Sequence, residues 1–219
     1  MYEPNDAKKP PGTPEFIGAF VRSSTLFYVA MAGIGSLIAN YNHHSLKIIL
    51  SIPADPLAAS KLFGLGLMGA LVLLIANFLF ESQFPSYHAF RKVLMQMVGQ
   101  ATVPMALYLA IISAIGEELL FRAGIQPGLG LVATALIFGL LHIGPQGLLS
   151  IWMLWAVMSG LLMGWMFAAT GSLWPSLICH FLVNGLSMLR LRIQFQEHQA
   201  SLAKLQAGKK AYSSSSQDD

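Results

Sequence analysis

The chain has 219 residues, of which 55% are hydrophobic and 11% charged, with a net charge of +3 and a mean hydropathy of +0.60. A soluble globular domain carries about 25% charged residues, so this composition excludes an ordinary soluble fold and points to a membrane protein. Lys and Arg scattered at helix ends make no nucleic-acid patch, and the single Cys179 excludes an internal disulfide or a CxxC metal site.

Residues 1–15 are polar and contain Pro4, Pro10, Pro11 and Pro14. They read as a disordered cytoplasmic lead, without the positive-then-apolar pattern of a cleavable signal peptide. The run 16–39 exceeds the ~20 residues that a bilayer crossing needs. Segment 40–61, with Pro53 and Pro56, predicts a loop holding a short interfacial piece around 48–52. The uncharged run 62–80 is the second span, and 81–100 a polar connector with a surface helix over 90–98. A third span, 101–121, meets a turn at Gly124, Pro127, Gly128 and Gly130. The fourth, 131–143, stops at Gly144-Pro145. The fifth, 148–169, carries Gly160 and Gly164, a small-xxx-small pair that lets a neighbouring helix approach closely. Thr170-Gly171-Ser172 turns into the sixth, 173–189. Residues 190–206, with Leu191, Ile193, Phe195, Leu202 and Leu205, read as an amphipathic helix on the membrane surface. Residues 207–219 read as a disordered tail. The expected fold is all-α: a polytopic membrane bundle over 16–189 with about six transmembrane helices and a polar cavity, its motif core being 101–189.

Six spans return both termini to one side. Lys8, Lys9, Arg22, Arg91, Lys92, Arg190 and the later cations fall on that side, against Lys47, Lys61 and Arg122 opposite. The positive-inside rule then places both termini in the cytoplasm of a cell membrane.

Ionisable groups inside a membrane segment are costly unless paired or facing a polar cavity. They cluster here at three places. Glu118 and Arg122 are four apart and share a helix face, whereas Glu117 points about 100° away, free of that pair. His142 follows Phe138 by four residues, and Asn184 follows His180 by four. Each has a bland reading: a headgroup-level charge cluster, a backbone-bonded His, and interhelical glue. Depth lets them meet, with Glu117 ~8 Å from the outer end of its helix, His180 ~12 Å, Asn184 ~18 Å and His142 ~16–21 Å. A shielded carboxylate and imidazole can polarise water as general bases, and a His with an Asn one turn on can donate to an oxyanion. Ser150, Ser159 and Ser176 have no His-Asp context. Cys179 and the Met-rich stretch Met153, Met158, Met163 and Met166 read as packing, and His43, His44, His88 and His198 as solvated.

Glu117-Glu118-x-x-x-Arg122, Phe138-x-x-x-His142 and His180-x-x-x-Asn184, on successive helices, resemble the three motifs of the CPBP intramembrane protease family, the CAAX-processing endopeptidases and their bacteriocin-processing relatives. Gly171-Ser172-Leu173-Trp174-Pro175 resembles the lead-in to the last motif. The resemblance, over about 101–189, implies an intramembrane endopeptidase in which Glu117 and His142 activate water while His180 and Asn184 bind the oxyanion. Glu118, Arg122 and Phe138 would support them. Two non-proteolytic readings stand beside it: a scaffold or bacteriocin immunity protein that keeps the fold, and a small proton-coupled transporter. Glu117, His142 and His180 would also make a three-ligand zinc site, as in a metalloprotease, although no His-Glu-x-x-His helix is present. The expected partners are the lipid bilayer and a membrane-associated protein or peptide substrate, with no nucleic acid. Cytoplasmic termini would open the site toward the outer face, to exported substrates.

Overall fold

Helix starts follow local chemistry. In a computed structural model that describes residues 13–42, 45–142 and 150–215, Thr13 caps α1 (Pro14–Tyr41), its hydroxyl accepting from the Phe16 amide at 3.2 Å. After the short α2 (Leu46–Ile49), the Asp55 carboxylate caps α3 (Pro56–Gln83), accepting from the Leu57 and Ala58 amides. Pro85 opens α4 (Pro85–Val98), and Thr102 caps α5 (Val103–Glu117). Such side-chain acceptors satisfy amides that have no partner within the helix, and Pro at the first position loses nothing there. A π-helical segment, Glu118–Ile125, carries α5 into α6 (Gln126–Leu141), followed by α7 (Ile151–Thr170) and α8 (Trp174–Ser215). The described residues contain no strand.

Among the described residues, five helical stretches are long and apolar enough to cross a membrane: Glu15–Tyr41, Pro56–Gln83, Val103–Leu141, Ile151–Thr170 and Trp174–Gly208. The chain is thus a multi-pass membrane protein by length and composition. The third stretch is bent back on itself at Gly130, whose φ of 80° and ψ of 170° suit glycine and strain other residues. Across the bend Phe121 meets Phe138, ring centroids 4.9 Å apart, and Glu117 faces His142. The third and fourth predicted spans are therefore the two arms of one hairpin. Its bend is at Gly130, while Gly124 and Pro127 lie in the helical path before it.

Small residues set how closely this hairpin is gripped. A methyl added at Gly35 of α1 would lie 2.4 Å from the Leu119 carbonyl oxygen, inside the π segment. One added at Gly164 of α7 would lie 2.5 Å from Leu131 and 2.6 Å from Gln126. The expected close approach at Gly160 and Gly164 is thus made, with the hairpin as the neighbour. Cys179 is buried in the core, as are Met163 and Met166, whereas Met158 is exposed. At the far end, α2 is tied to the start of α8: the Leu173 amide donates to the Ile49 carbonyl and the Trp174 indole to the Leu50 carbonyl, both at 2.9 Å.

Several boundaries differ from expectation. The surface helix over 90–98 begins earlier, at Pro85. Residues 190–206 form no separate element, because α8 runs without a break from Trp174 to Ser215, through the expected boundary at 207. His88 and His198 are exposed as expected. The greater part of the N-terminal lead (residues 1–12), His43, His44, the Gly144-Pro145 stop and residues 216–219 lie outside the described residues.

Candidate active site

The π segment and the turn before it hold the charges. Glu117 is 6% exposed, Glu118 0%, Arg122 1% and His180 5%. Burial this deep requires pairing. Arg122 Nη1 lies 3.2 Å from Glu118 Oε1, the predicted i,i+4 pair, and Arg122 Nη2 donates to the Gly160 carbonyl at 3.3 Å. One turn on, the Gln126 amide donates to the Gly164 carbonyl at 2.8 Å. The two glycines of α7 thus open their backbone to two side chains of the hairpin. The Arg122 guanidinium also lies over the Phe138 ring, 4.9 Å from its centroid, a cation–π contact.

Glu118 has a second partner that helical spacing alone did not reveal. His180 Nδ1 lies 2.8 Å from Glu118 Oε1. A carboxylate only accepts, so Nδ1 carries the proton and His180 Nε2 presents a lone pair. That Nε2 is 3.6 Å from Glu117 Oε2. His142 repeats the arrangement: its Nδ1 donates to the Phe138 carbonyl at 2.7 Å, which leaves Nε2 as acceptor, 3.9 Å from the same Glu117 oxygen. Glu117 Oε2 has no hydrogen-bond partner of its own. Asn184 Nδ2 donates to Ser113 Oγ at 3.1 Å, and Ser113 donates onward to the Ala110 carbonyl, which fixes the orientation of the amide.

Glu117, His142, His180 and Asn184 all line one cavity of about 270 Å³. Its other end is bounded by Phe20 of α1, Val98 of α4 and Leu191 of α8. Those residues lie toward the end of the bundle that holds the N-terminus of α1. The site is deeper than expected, and the physical reason is helix length. The arm expected to end near Phe121 continues to Gly130, so Glu117 lies about 13 residues, ~20 Å, before the bend. Arg122, expected near the outer headgroups, is instead in the core.

A type II CAAX prenyl endopeptidase, Rce1-like family profile matches residues 99–186, the segment that brings these side chains together. Residues 99–186 are an Rce1-like CAAX endopeptidase (CPBP) domain. A Bacillus subtilis (strain 168) protein described as uncharacterized protein YpbD is 26% identical over 132 residues, 59% of this chain and 68% of that protein. No solved structure matches the chain significantly. Membership of the CAAX endopeptidase family suggests a protease, and the buried Glu117, Glu118 and His180 cluster fits a catalytic site.

Glu117, His142 and His180 carry the donor types of a catalytic zinc centre, and each imidazole has an outer partner of the kind that supports a ligand. As placed, however, no three His, Cys, Asp or Glu side chains among the described residues stand in metal-holding geometry.

Two further residues at the site went unassigned in the sequence. Ser113 lies four residues before Glu117, the same-face spacing already used for the other motifs, so it was findable. Tyr28 comes from α1, outside the matched domain, and lines the same cavity; no spacing rule links it to the motifs.

Proposed function

We propose that the chain is an intramembrane endopeptidase that hydrolyses a peptide bond of a membrane-associated protein or peptide with water activated by Glu117 and His142. The observation carrying this reading is the unpartnered Glu117 Oε2 between two imidazole Nε2 atoms whose Nδ1 protons are already committed. Water entering this gap finds acceptors on several sides and loses a proton to Glu117 as its oxygen attacks the substrate carbonyl. The tetrahedral oxyanion takes a hydrogen bond from the remaining Asn184 N–H, and from His180 when its Nε2 is protonated. Collapse of the intermediate breaks the C–N bond, and Glu117 returns its proton to the leaving amine.

Glu118 and Arg122 serve as supports: Glu118 holds His180, and Arg122 neutralises Glu118. Both termini belong in the cytoplasm of a cell membrane by the distribution of Lys and Arg. The cavity then opens on the cytoplasmic side, to substrates approaching from within the cell.

The test compares membranes containing the wild-type chain with membranes containing Glu117→Gln at equal expression, by mass spectrometry of newly formed peptide termini. Termini made by the wild type are expected to vanish with Glu117→Gln and with His142→Ala. A set of termini that survives both substitutions overturns the enzymatic reading and leaves the scaffold.

A further inference from the structure

Glu117 has to present one particular oxygen to two imidazoles, yet its carboxyl can rotate about its own side chain. Neither His180 nor His142 prevents that rotation, since both stand beyond hydrogen-bond distance, at 3.6 and 3.9 Å. Arg122 is committed to Glu118. The group that remains is Tyr28, which lines the catalytic cavity together with Glu117.

Tyr28 is held there by its backbone. A methyl added at Gly116, the residue before Glu117, would lie 2.7 Å from the Tyr28 carbonyl oxygen and 3.0 Å from its Cβ. The two helices, α1 and α5, touch at that level. Nearby, Thr25 and Tyr108 join α1 to α5 through their hydroxyls at 3.0 Å. Two turns beyond Tyr28, Gly35 rests on the Leu119 carbonyl, and Gly124 is in close approach to Gly35. Phe27 packs edge-on against the Tyr28 ring, centroids 5.3 Å apart. Contacts on both sides of Glu117 therefore fix the height and rotation of α1.

We infer that Tyr28 is a positioning residue of the active site: its hydroxyl donates to Glu117 and locks the carboxylate with its free oxygen toward His142 and His180. The inference rests on the catalytic reading of Glu117. It means that residues 99–186 do not complete the site, because one of its polar groups comes from the first helix. A phenol suits the task. It donates one hydrogen bond without adding a second charge, and its ring fills apolar space.

The experiment uses the full chain in lipid nanodiscs with Tyr28→Phe and Tyr28→Leu. The first reading is the infrared carboxylate band of Glu117, identified as the band lost in Glu117→Gln. Tyr28→Phe, which removes only the hydroxyl, is expected to shift that band. An unshifted band in Tyr28→Phe overturns the inference, whether or not the chain proves to be a protease. The second reading is the rate of terminus formation. Tyr28→Phe is expected to lower turnover about tenfold at unchanged KM, the scale of one hydrogen bond to a charged group. If Tyr28→Phe matches the wild type and only Tyr28→Leu is impaired, Tyr28 is packing alone and the inference fails. Loss of all activity in Glu117→Gln tests the protease reading separately.

Discussion

Two ionic clusters, built from the same residue types, sit at different depths of this molecule. In the inner one, Glu118, Arg122 and His180 are almost wholly buried, and each charge faces a partner of fixed geometry. In the outer one, Glu81 of α3 pairs with Arg91 of α4 and with Arg190 of α8, the latter at 3.0 Å, and Arg91 also bonds Gln194. Here two guanidiniums share one carboxylate, Arg190 is 44% exposed, and burial together with the Arg190 charge pulls Arg91 down to about 10. The outer cluster ties α3, α4 and α8 together, and Arg190 gives it access to water. The inner cluster has no such help, so its members stand or fall together.

The comparison can be broken most severely at Arg122. Arg122→Ala leaves Glu118 buried without its cation, at an expected cost of about 3–5 kcal/mol. Thermal unfolding in detergent checks this, and a variant as stable as the wild type would place the inner cluster on the same footing as the outer. A smaller effect is expected from Glu118→Gln, which keeps the shape and loses a charged hydrogen bond to His180, about 1.5–3 kcal/mol. The smallest comes from Glu81→Gln, about 1 kcal/mol or less. Salt sharpens the contrast. Raising ionic strength should erase most of the Glu81→Gln effect and leave the Arg122→Ala effect in place, because buried pairs are poorly screened. Unfolding curves at low and high salt measure both.

Much of the site was legible in the chain because each motif lies on one helix, where spacing of four residues decides which side chains share a face. The Glu118–Arg122 pair, the freedom of Glu117 and the four side chains that line the cavity follow from that rule and from the rarity of polar groups in these spans. Where the rule met longer-range geometry it failed. The π segment and the extension of the helix to Gly130 moved Arg122 from a helix end into the core and placed Glu117 deeper than expected. The cavity consequently reaches toward the end of the bundle that holds the N-terminus of α1. Likewise, the amphipathic pattern over 190–206 was read as a separate surface helix, although no Gly or Pro interrupts residues 186–206, and α8 simply continues.

Composition and hydropathy by themselves determined that this is a helical membrane protein, since a chain this poor in charge can satisfy its backbone in lipid with helices. Spacing alone determined which polar side chains could act together within a helix. Only the tertiary structure decided how those helices face one another: the fold-back at Gly130 that brings His142 to Glu117, the bond from His180 to Glu118 that sets the imidazole tautomer, and the Gly35 and Gly116 contacts that hold α1 against the hairpin with Tyr28 lining the cavity. These are contacts between residues far apart in sequence, governed by close packing of small residues and by the need to pair every buried charge.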